Sequence, residues 1–184
     1  GLARAYAGTH EMEQAEREFR EVLRKDPINE DAFVGLALTK EHYSPATLDA
    51  LVDEAIAAGV SASCVGLLRA FADRRAKRYR EGLAALESLP PDYEPIHRAH
   101  LEGQLLDAIG DYDSAFASFT RMNDLHAADE SQPLPRAAEV RQELRQLIDT
   151  VNPEWVRDRA GPTVESSRPA PIFLVGFPRS GTTL

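Results

Sequence analysis

The sequence predicts an all-α array of helix-turn-helix repeats, followed by the first strand and loop of an α/β domain. Two observations predict it: small side chains recur at a nearly constant spacing, and the last fourteen residues change from helical periodicity to a short apolar run with a Gly/Ser/Thr turn. The recurring residues are Ala15, Ala50, Gly82 and Ala115, spaced 35, 32 and 33 apart. We therefore divide the chain into repeats (1–126), a linker with capping helices (127–160), a second linker (161–170) and the start of another domain (171–184).

The first and last repeats carry the clearest pattern. The offsets L-x3-Y, A-x3-F and a later proline are met by Leu2, Tyr6, Ala15, Phe19 and Pro27. The same scheme returns in Gly103, Leu106, Gly110, Tyr112, Ala115, Phe119 and Met122. This pattern resembles the tetratricopeptide repeat, whose period is about 34 residues. The resemblance implies a solenoid of about four repeats, the first incomplete, with a groove that can bind a peptide or protein.

The two middle repeats are weaker copies. One is marked by Ala70, Tyr79, Gly82, Leu86 and Leu89, and the other begins with Phe33, Leu36 and Ala37, with a degenerate second helix near Leu48 to Ile56. A small residue lets two helices approach closely, and an aromatic one turn later fills the space between them. We therefore expect the aromatic side chains of this region to pack rather than to bind a ligand.

Prolines mark the ends of the predicted helices, because proline fits only the first turn of a helix. The breaks are at Pro27, Pro45, the pair Pro90-Pro91 and Pro95, and a polar stretch from Ala127 to Pro135 follows. After it, apolar residues at helical spacing predict an amphipathic helix from Ala137 to Val151. Asn152 and Pro153 then predict the N-cap and first residue of a short helix that contains Trp155.

The last fourteen residues predict a phosphate-binding turn. Ile172 to Val175 is an apolar run typical of a buried parallel strand. The stretch from Gly176 to Thr183 fits G-x-x-x-x-G-K-[ST] except that Thr182 replaces the lysine that binds nucleotide phosphates. Hydroxyl groups and backbone N–H groups at a helix N-terminus form an anion site. The alternative is a turn that only begins a helix.

With Arg179 inside this loop, the run from Pro178 to Leu184 resembles the 5'-phosphosulfate-binding loop of sulfotransferases. Chains that join a tetratricopeptide array to such a domain form a bacterial family with a similar junction. The resemblance implies 3'-phosphoadenosine 5'-phosphosulfate as the donor and requires no metal. It implies that the backbone from Arg179 to Thr183, with the hydroxyls of Ser180, Thr182 and Thr183 and the turn at Gly181, holds the 5'-phosphate.

The resemblance also implies a catalytic role for Arg179, whose permanent charge would stabilise the phosphate that leaves as the sulfur–oxygen bond breaks. The sequence ends at Leu184, so we expect the general base and the 3'-phosphate site to lie beyond it, and these 184 residues alone to be inactive. The acceptor would be a hydroxyl or an amine. The alternative is a tetratricopeptide scaffold for protein binding without catalytic activity.

Charge and composition limit the partners and the location of the protein. Residues 1–136 hold 15 basic and 24 acidic side chains and account for the whole net charge of -9. This excess disfavours nucleic acid and could favour basic peptides, although solvated helix faces explain it as well. A single cysteine, Cys64, excludes an internal disulfide framework and fits a reducing, cytoplasmic location. We expect no membrane span.

Two further clusters have open interpretations. Arg74, Arg75, Lys77, Arg78 and Arg80 form a basic cluster at a turn, either a solvated corner or an anion site. His97 and His100 follow Glu94 on a predicted helix, but no H-E-x-x-H motif or cysteine partner supports a metal site.

Overall fold

The computed structural model describes residues 1–129 and 131–159, which are all-helical. The chain divides into two units, Gly1–Leu134 and a second that begins at Pro135. The α-helices of the described residues are α1 (Leu2–Gly8), α2 (Met12–Lys25), α3 (Glu30–Tyr43), α4 (Leu48–Ala58), α5 (Ala62–Arg75), α6 (Tyr79–Glu87), α7 (Pro95–Ala108), α8 (Tyr112–Ala127), α9 (Pro133–Thr150) and α10 (Pro153–Arg159), and a 3-10 turn, Pro45–Thr47, precedes α4. Among these helices, none combines the length and apolar character needed to cross a membrane.

Local sequence signals explain where the helices begin and end. The side chain of Asn29 accepts a hydrogen bond from the backbone N–H of Ala32, and that of Ser61 accepts one from Cys64. Each bond satisfies one of the free N–H groups at a helix N-terminus. The breaks predicted at the prolines are confirmed, with Pro95 as the first residue of α7.

Helix packing in the first unit follows the order of the chain. Each helix from α1 to α8 packs against the next one in the chain, and the odd-numbered helices α1, α3, α5 and α7 also pack against one another in succession. Short connections between successive helices favour this antiparallel pairing. The first unit is therefore compatible with a helical repeat array, in which the odd-numbered helices form one layer.

The core runs continuously through the first unit. Its largest buried side chains include Phe33, Leu36, Leu48, Leu51, Leu67, Leu68, Leu86, Leu101 and Leu105. Ala15 is fully buried, and Phe19, one turn later, packs its ring against Gly35 of α3. In α8, Ala115 is buried and the half-buried ring of Phe119 lies on Gly103 of α7. The predicted pairing of a small residue with an aromatic is confirmed at both places.

The expected position of the small, buried residue is wrong in α4. Ala50 is exposed, whereas Leu48, Leu51, Val52 and Ala55 form the buried face of this helix. The 3-10 turn at Pro45–Thr47 directly precedes α4, and its tighter winding changes the rotation at which the helix begins. The small buried residue of α4 is consequently Ala55 rather than Ala50.

The expectation that every aromatic residue of the array packs is also wrong. Tyr112 and Phe116 are 69% and 75% exposed. They lie one turn apart on α8, away from the positions of Ala115 and Ser118 that are buried. Helix α8 packs against α7, so Tyr112 and Phe116 lie on the exposed side of this helix.

The second unit contains most of α9 and all of α10. Helix α9 begins at Pro133 rather than at Ala137, because both prolines of the break lie in the first turn, where proline is tolerated. The predicted N-cap of α10 is confirmed, since Asn152 Oδ1 accepts hydrogen bonds from the N–H groups of Glu154 and Trp155. The predicted linker at 161–170 and the strand and loop at 171–184 lie outside the described residues.

Candidate functional site

The predicted donor-binding residues, Arg179, Ser180, Gly181, Thr182 and Thr183, lie outside the described residues. The site that the structure does describe is a groove in the first unit, formed by α1, the start of α2, α3 and the first turn of α7. Its volume is about 610 Å³, which is within the range typical of ligand-binding clefts.

The floor of the groove is apolar. It is lined by Ala7 of α1, Met12 and Phe19 of α2, and Val34 and Leu38 of α3. Gly35 also borders the groove, and the absence of a side chain there lets the ring of Phe19 reach α3. Next to it, the hydroxyl of Thr39 donates to the carbonyl of Gly35 at 2.8 Å, so this buried polar group does not add a free donor to the groove.

Charged side chains lie at two sides of the groove, and their pairing differs. Arg4 lies 3.6 Å from the carboxylate of Asp31, so its charge has an opposite charge beside it. Glu94 Oε2 lies 2.8 Å from Nδ1 of His97, so this carboxylate has an imidazole as its partner. The groove therefore has a side at α1 where a guanidinium lies beside a carboxylate and a side at α7 where a carboxylate lies beside an imidazole.

Two residues of the groove have a backbone conformation that disfavours ordinary side chains. His10 has a φ of 63° and Glu94 a φ of 43°, both in the left-handed region. Of the described non-glycine residues, only Lys77 and Gln132 share this feature. Glu94 also precedes Pro95, which restricts its backbone further. Such strain costs on the order of 1 to 3 kcal/mol and is found preferentially at functional sites.

A hydrogen-bonded network near the start of α7 joins three parts of the array. Glu30, at the start of α3, accepts from the N–H of Ser61 at 2.9 Å and from the hydroxyl of Tyr93 at 2.8 Å. Burial raises the pKa of Glu30, but these hydrogen bonds outweigh it and hold the pKa below its ordinary value. Burial raises the pKa of the neighbouring Cys64 thiol to about 11, so this cysteine is unreactive rather than a nucleophile.

The basic cluster at the α5–α6 turn is largely structural. Arg74 donates to Glu41 of α3, and Arg78 donates to Asp73 at 2.6 Å and to Asp49 of α4 at 3.1 Å. These cations hold helices together. The remaining members, Arg75, Lys77 and Arg80, are exposed, as a solvated corner requires.

The two histidines of α7, His97 and His100, each contact another side chain of the protein. His97 pairs with Glu94, and the ring of His100 lies 6.4 Å from that of Phe119. Within the described residues, no three His, Cys, Asp or Glu side chains are grouped so that they could hold a metal ion.

Some of these residues could be predicted from the sequence, but the groove could not. Pro95 indicates the start of α7, and Glu94 and His97 are close in the sequence, yet nothing in the sequence brings them to the same groove as Arg4 and Leu38. The separation of 63 positions between Glu30 and Tyr93 likewise hides their hydrogen bond. The only local signal for Glu94 was its position before a proline.

No protein-family model matches the chain, and neither a curated protein nor a solved structure is found to be similar to it.

Proposed function

We propose that this chain is the N-terminal part of a sulfotransferase that uses 3'-phosphoadenosine 5'-phosphosulfate. The observation that carries the proposal is the run from Ile172 to Leu184, which joins an apolar strand pattern, two glycines, a cation and three hydroxyl residues within thirteen positions. Few turns combine all of these features, and together they suit a phosphate on backbone N–H groups.

In the proposed reaction, a hydroxyl or amine of the acceptor attacks the sulfur of the donor. The bond between sulfur and the bridging oxygen breaks, the electron pair leaves with the phosphate, and the proton of the acceptor passes to a base beyond Leu184. In this proposal Arg179 has the role of stabilising the charge that develops on the bridging oxygen. The hydroxyls of Ser180, Thr182 and Thr183 hold the 5'-phosphate, and no metal takes part.

We propose further that the first unit is a tetratricopeptide solenoid that presents an acceptor or a partner protein. The packing of α1 to α8 in chain order, with the odd-numbered helices also packed in succession, supports this, as do the buried small residues Ala15, Gly82 and Ala115 at the expected positions. The acidic excess of residues 1–136 argues against nucleic acid as a partner. The lone, buried thiol of Cys64 supports a cytoplasmic location.

The groove favours a second candidate function, a scaffold that binds protein without catalysis. The coding sequence after Leu184 separates the two functions. A continuing α/β pattern with a second Ser/Arg phosphate site and a His or Glu base supports the enzyme, whereas a stop codon supports the scaffold.

The decisive test is the Arg179→Ala variant in a chain that continues past Leu184. We expect turnover to fall by a factor on the order of 100 to 1000, as when one transition-state donor is removed. Arg179→Lys, which keeps a point charge, should retain more activity. Turnover should fall more than donor affinity, because the interaction strengthens in the transition state. Unchanged turnover with weaker donor binding would assign Arg179 to binding alone.

A further inference from the structure

We infer that the groove between α1, α3 and the start of α7 binds a partner protein through a segment in which a large apolar side chain stands next to lysine or arginine. This inference rests on the proposed role of the array as a binding element. It adds the location of the site and the chemistry of the partner.

The apolar floor defines the first requirement on the partner. Ala7, Met12 and Leu38 are only partly buried, so they leave apolar surface facing the groove, and the buried Phe19 and Val34 lie behind them. Covering such surface favours a complex because it removes apolar area from water. A Leu, Met or Phe side chain from a partner supplies that cover, whereas a polar or small side chain does not.

The charge of the groove defines the second requirement. Arg4 lies beside Asp31, whereas no lysine or arginine of the described residues forms an ion pair with Glu94, whose carboxylate lies beside the imidazole of His97. The side chain of Glu94 is 31% exposed and remains accessible to a cation. The excess of acidic over basic residues in the array adds a long-range attraction for a basic segment and slows the approach of an acidic one.

The strain at His10 and Glu94 supports a binding role for this place rather than a purely structural one. Both residues border the same groove although they are separated by more than eighty positions in the sequence. Neither of these two residues is a glycine, although both have a left-handed backbone conformation. Each therefore costs folding free energy that a glycine at the same position would not cost. At Glu94 the strained conformation holds the carboxylate at the edge of the groove, beside His97.

The test is a titration of the 184-residue chain with the fluorescein-labelled peptide GSGKLFKRGSG, followed by fluorescence anisotropy. We expect saturable binding with a dissociation constant of about 100 µM or tighter. GSGKAAKRGSG, without the apolar pair, should bind at least about tenfold more weakly. GSGELFEEGSG, with the charges reversed, should show no saturable binding.

Two variants locate the binding. Glu94→Gln should weaken binding of the basic peptide by about three- to fivefold, as expected for a partly exposed ion pair. Glu81→Gln removes the same charge from the exposed face of α6 and should leave binding unchanged. Ala7→Leu, which fills the groove from α1, should weaken binding of all apolar peptides by about tenfold. Thermal melts of each variant verify that the fold is kept.

Several outcomes would overturn the inference. These are the absence of binding up to about 1 mM, equal binding of the acidic peptide, and equal effects of Glu94→Gln and Glu81→Gln. Sedimentation as a dimer that Ala7→Leu converts to a monomer would show that a second copy fills the groove. None of these results affects sulfuryl transfer, which is measured separately through Arg179 in the longer chain.

Discussion

At the scale of single residues, the closeness of the helices depends on glycines that accept an aromatic ring. A Cβ atom added to Gly35 would lie 2.3 Å from Cζ of Phe19, and one added to Gly103 would lie 2.6 Å from Cε1 of Phe119. Neither distance is compatible with the ring staying where it is. The same arrangement therefore recurs in two helix pairs, once between α2 and α3 and once between α7 and α8.

This contact reverses the usual effect of replacing a helical glycine. Gly→Ala inside a helix normally stabilises by about 1 kcal/mol, but overpacking costs about 1 to 3 kcal/mol. We expect Gly35→Ala to lower the free energy of unfolding by about 1 to 2 kcal/mol, since the ring of Phe19 is buried and must move. Urea denaturation followed by circular dichroism measures it.

Gly8, at the end of α1, provides the matched control for Gly35. No atom lies within 4 Å of a Cβ added there, so Gly8→Ala should be neutral or slightly stabilising. If Gly35→Ala stabilised the protein as much as Gly8→Ala, the close packing of Phe19 on α3 would be refuted.

At the scale of helices, the sequence predicts where each one lies better than which face it buries. The proline breaks and the N-cap at Asn152 depend on neighbouring residues, so they could be read locally. The burial of Leu51 and Ala55 instead of Ala50 depends on the rotation at which α4 leaves the 3-10 turn, which a fixed repeat length does not contain. Groove residues such as Glu94 depend on the packing of four helices, so their grouping could not be predicted from spacing.

The network around Glu30 gives a test at this scale, because it links the starts of α3 and α5 with the segment before α7. The pKa of Glu30 is lower in the folded than in the unfolded chain, whose ordinary value is about 4.5. Ionised Glu30 therefore stabilises the fold above that pH. The stabilisation is lost as the pH falls below 4.5 and through the folded pKa.

Glu30→Gln removes this titration. We expect the free energy of unfolding of the variant to change less than that of the parent chain between about pH 5 and pH 3. At neutral pH the variant should be less stable by about 1 to 2 kcal/mol, since a charged acceptor is lost from two hydrogen bonds. Urea titrations at each pH measure both effects. Glu81→Gln, a substitution at an exposed position of α6, should keep the pH dependence of the parent chain. If the free energy of unfolding of Glu30→Gln changed with pH as steeply as that of Glu81→Gln, the network around Glu30 would be excluded as the source of the pH dependence.

At the scale of the whole molecule, the core belongs to the first unit. Every fully buried apolar residue in the described part of the chain lies between Ala3 and Ala115, and α9 and α10 contribute none. In helical arrays each element contacts mainly its neighbours, so stability is close to a sum of local terms. The first unit should then need nothing from the residues that follow it.

A shortened chain of residues 1–134 tests this division. Because this shortened chain keeps the complete core and all contacts among α1 to α8, we expect it to be helical and to unfold cooperatively. Its Tm should lie within about 4 °C of that of the 184-residue chain, which corresponds to a change in the free energy of unfolding below about 1 kcal/mol. Circular dichroism melts of the two chains give the comparison. Removing α8 as well, by ending the chain at Gly110, exposes the surface of α7 at Gly103 that the ring of Phe119 covers and should lower the Tm by much more. If the chain ending at residue 134 were unfolded or melted as low as the one ending at Gly110, the later helices would have to belong to the same cooperative unit as the array.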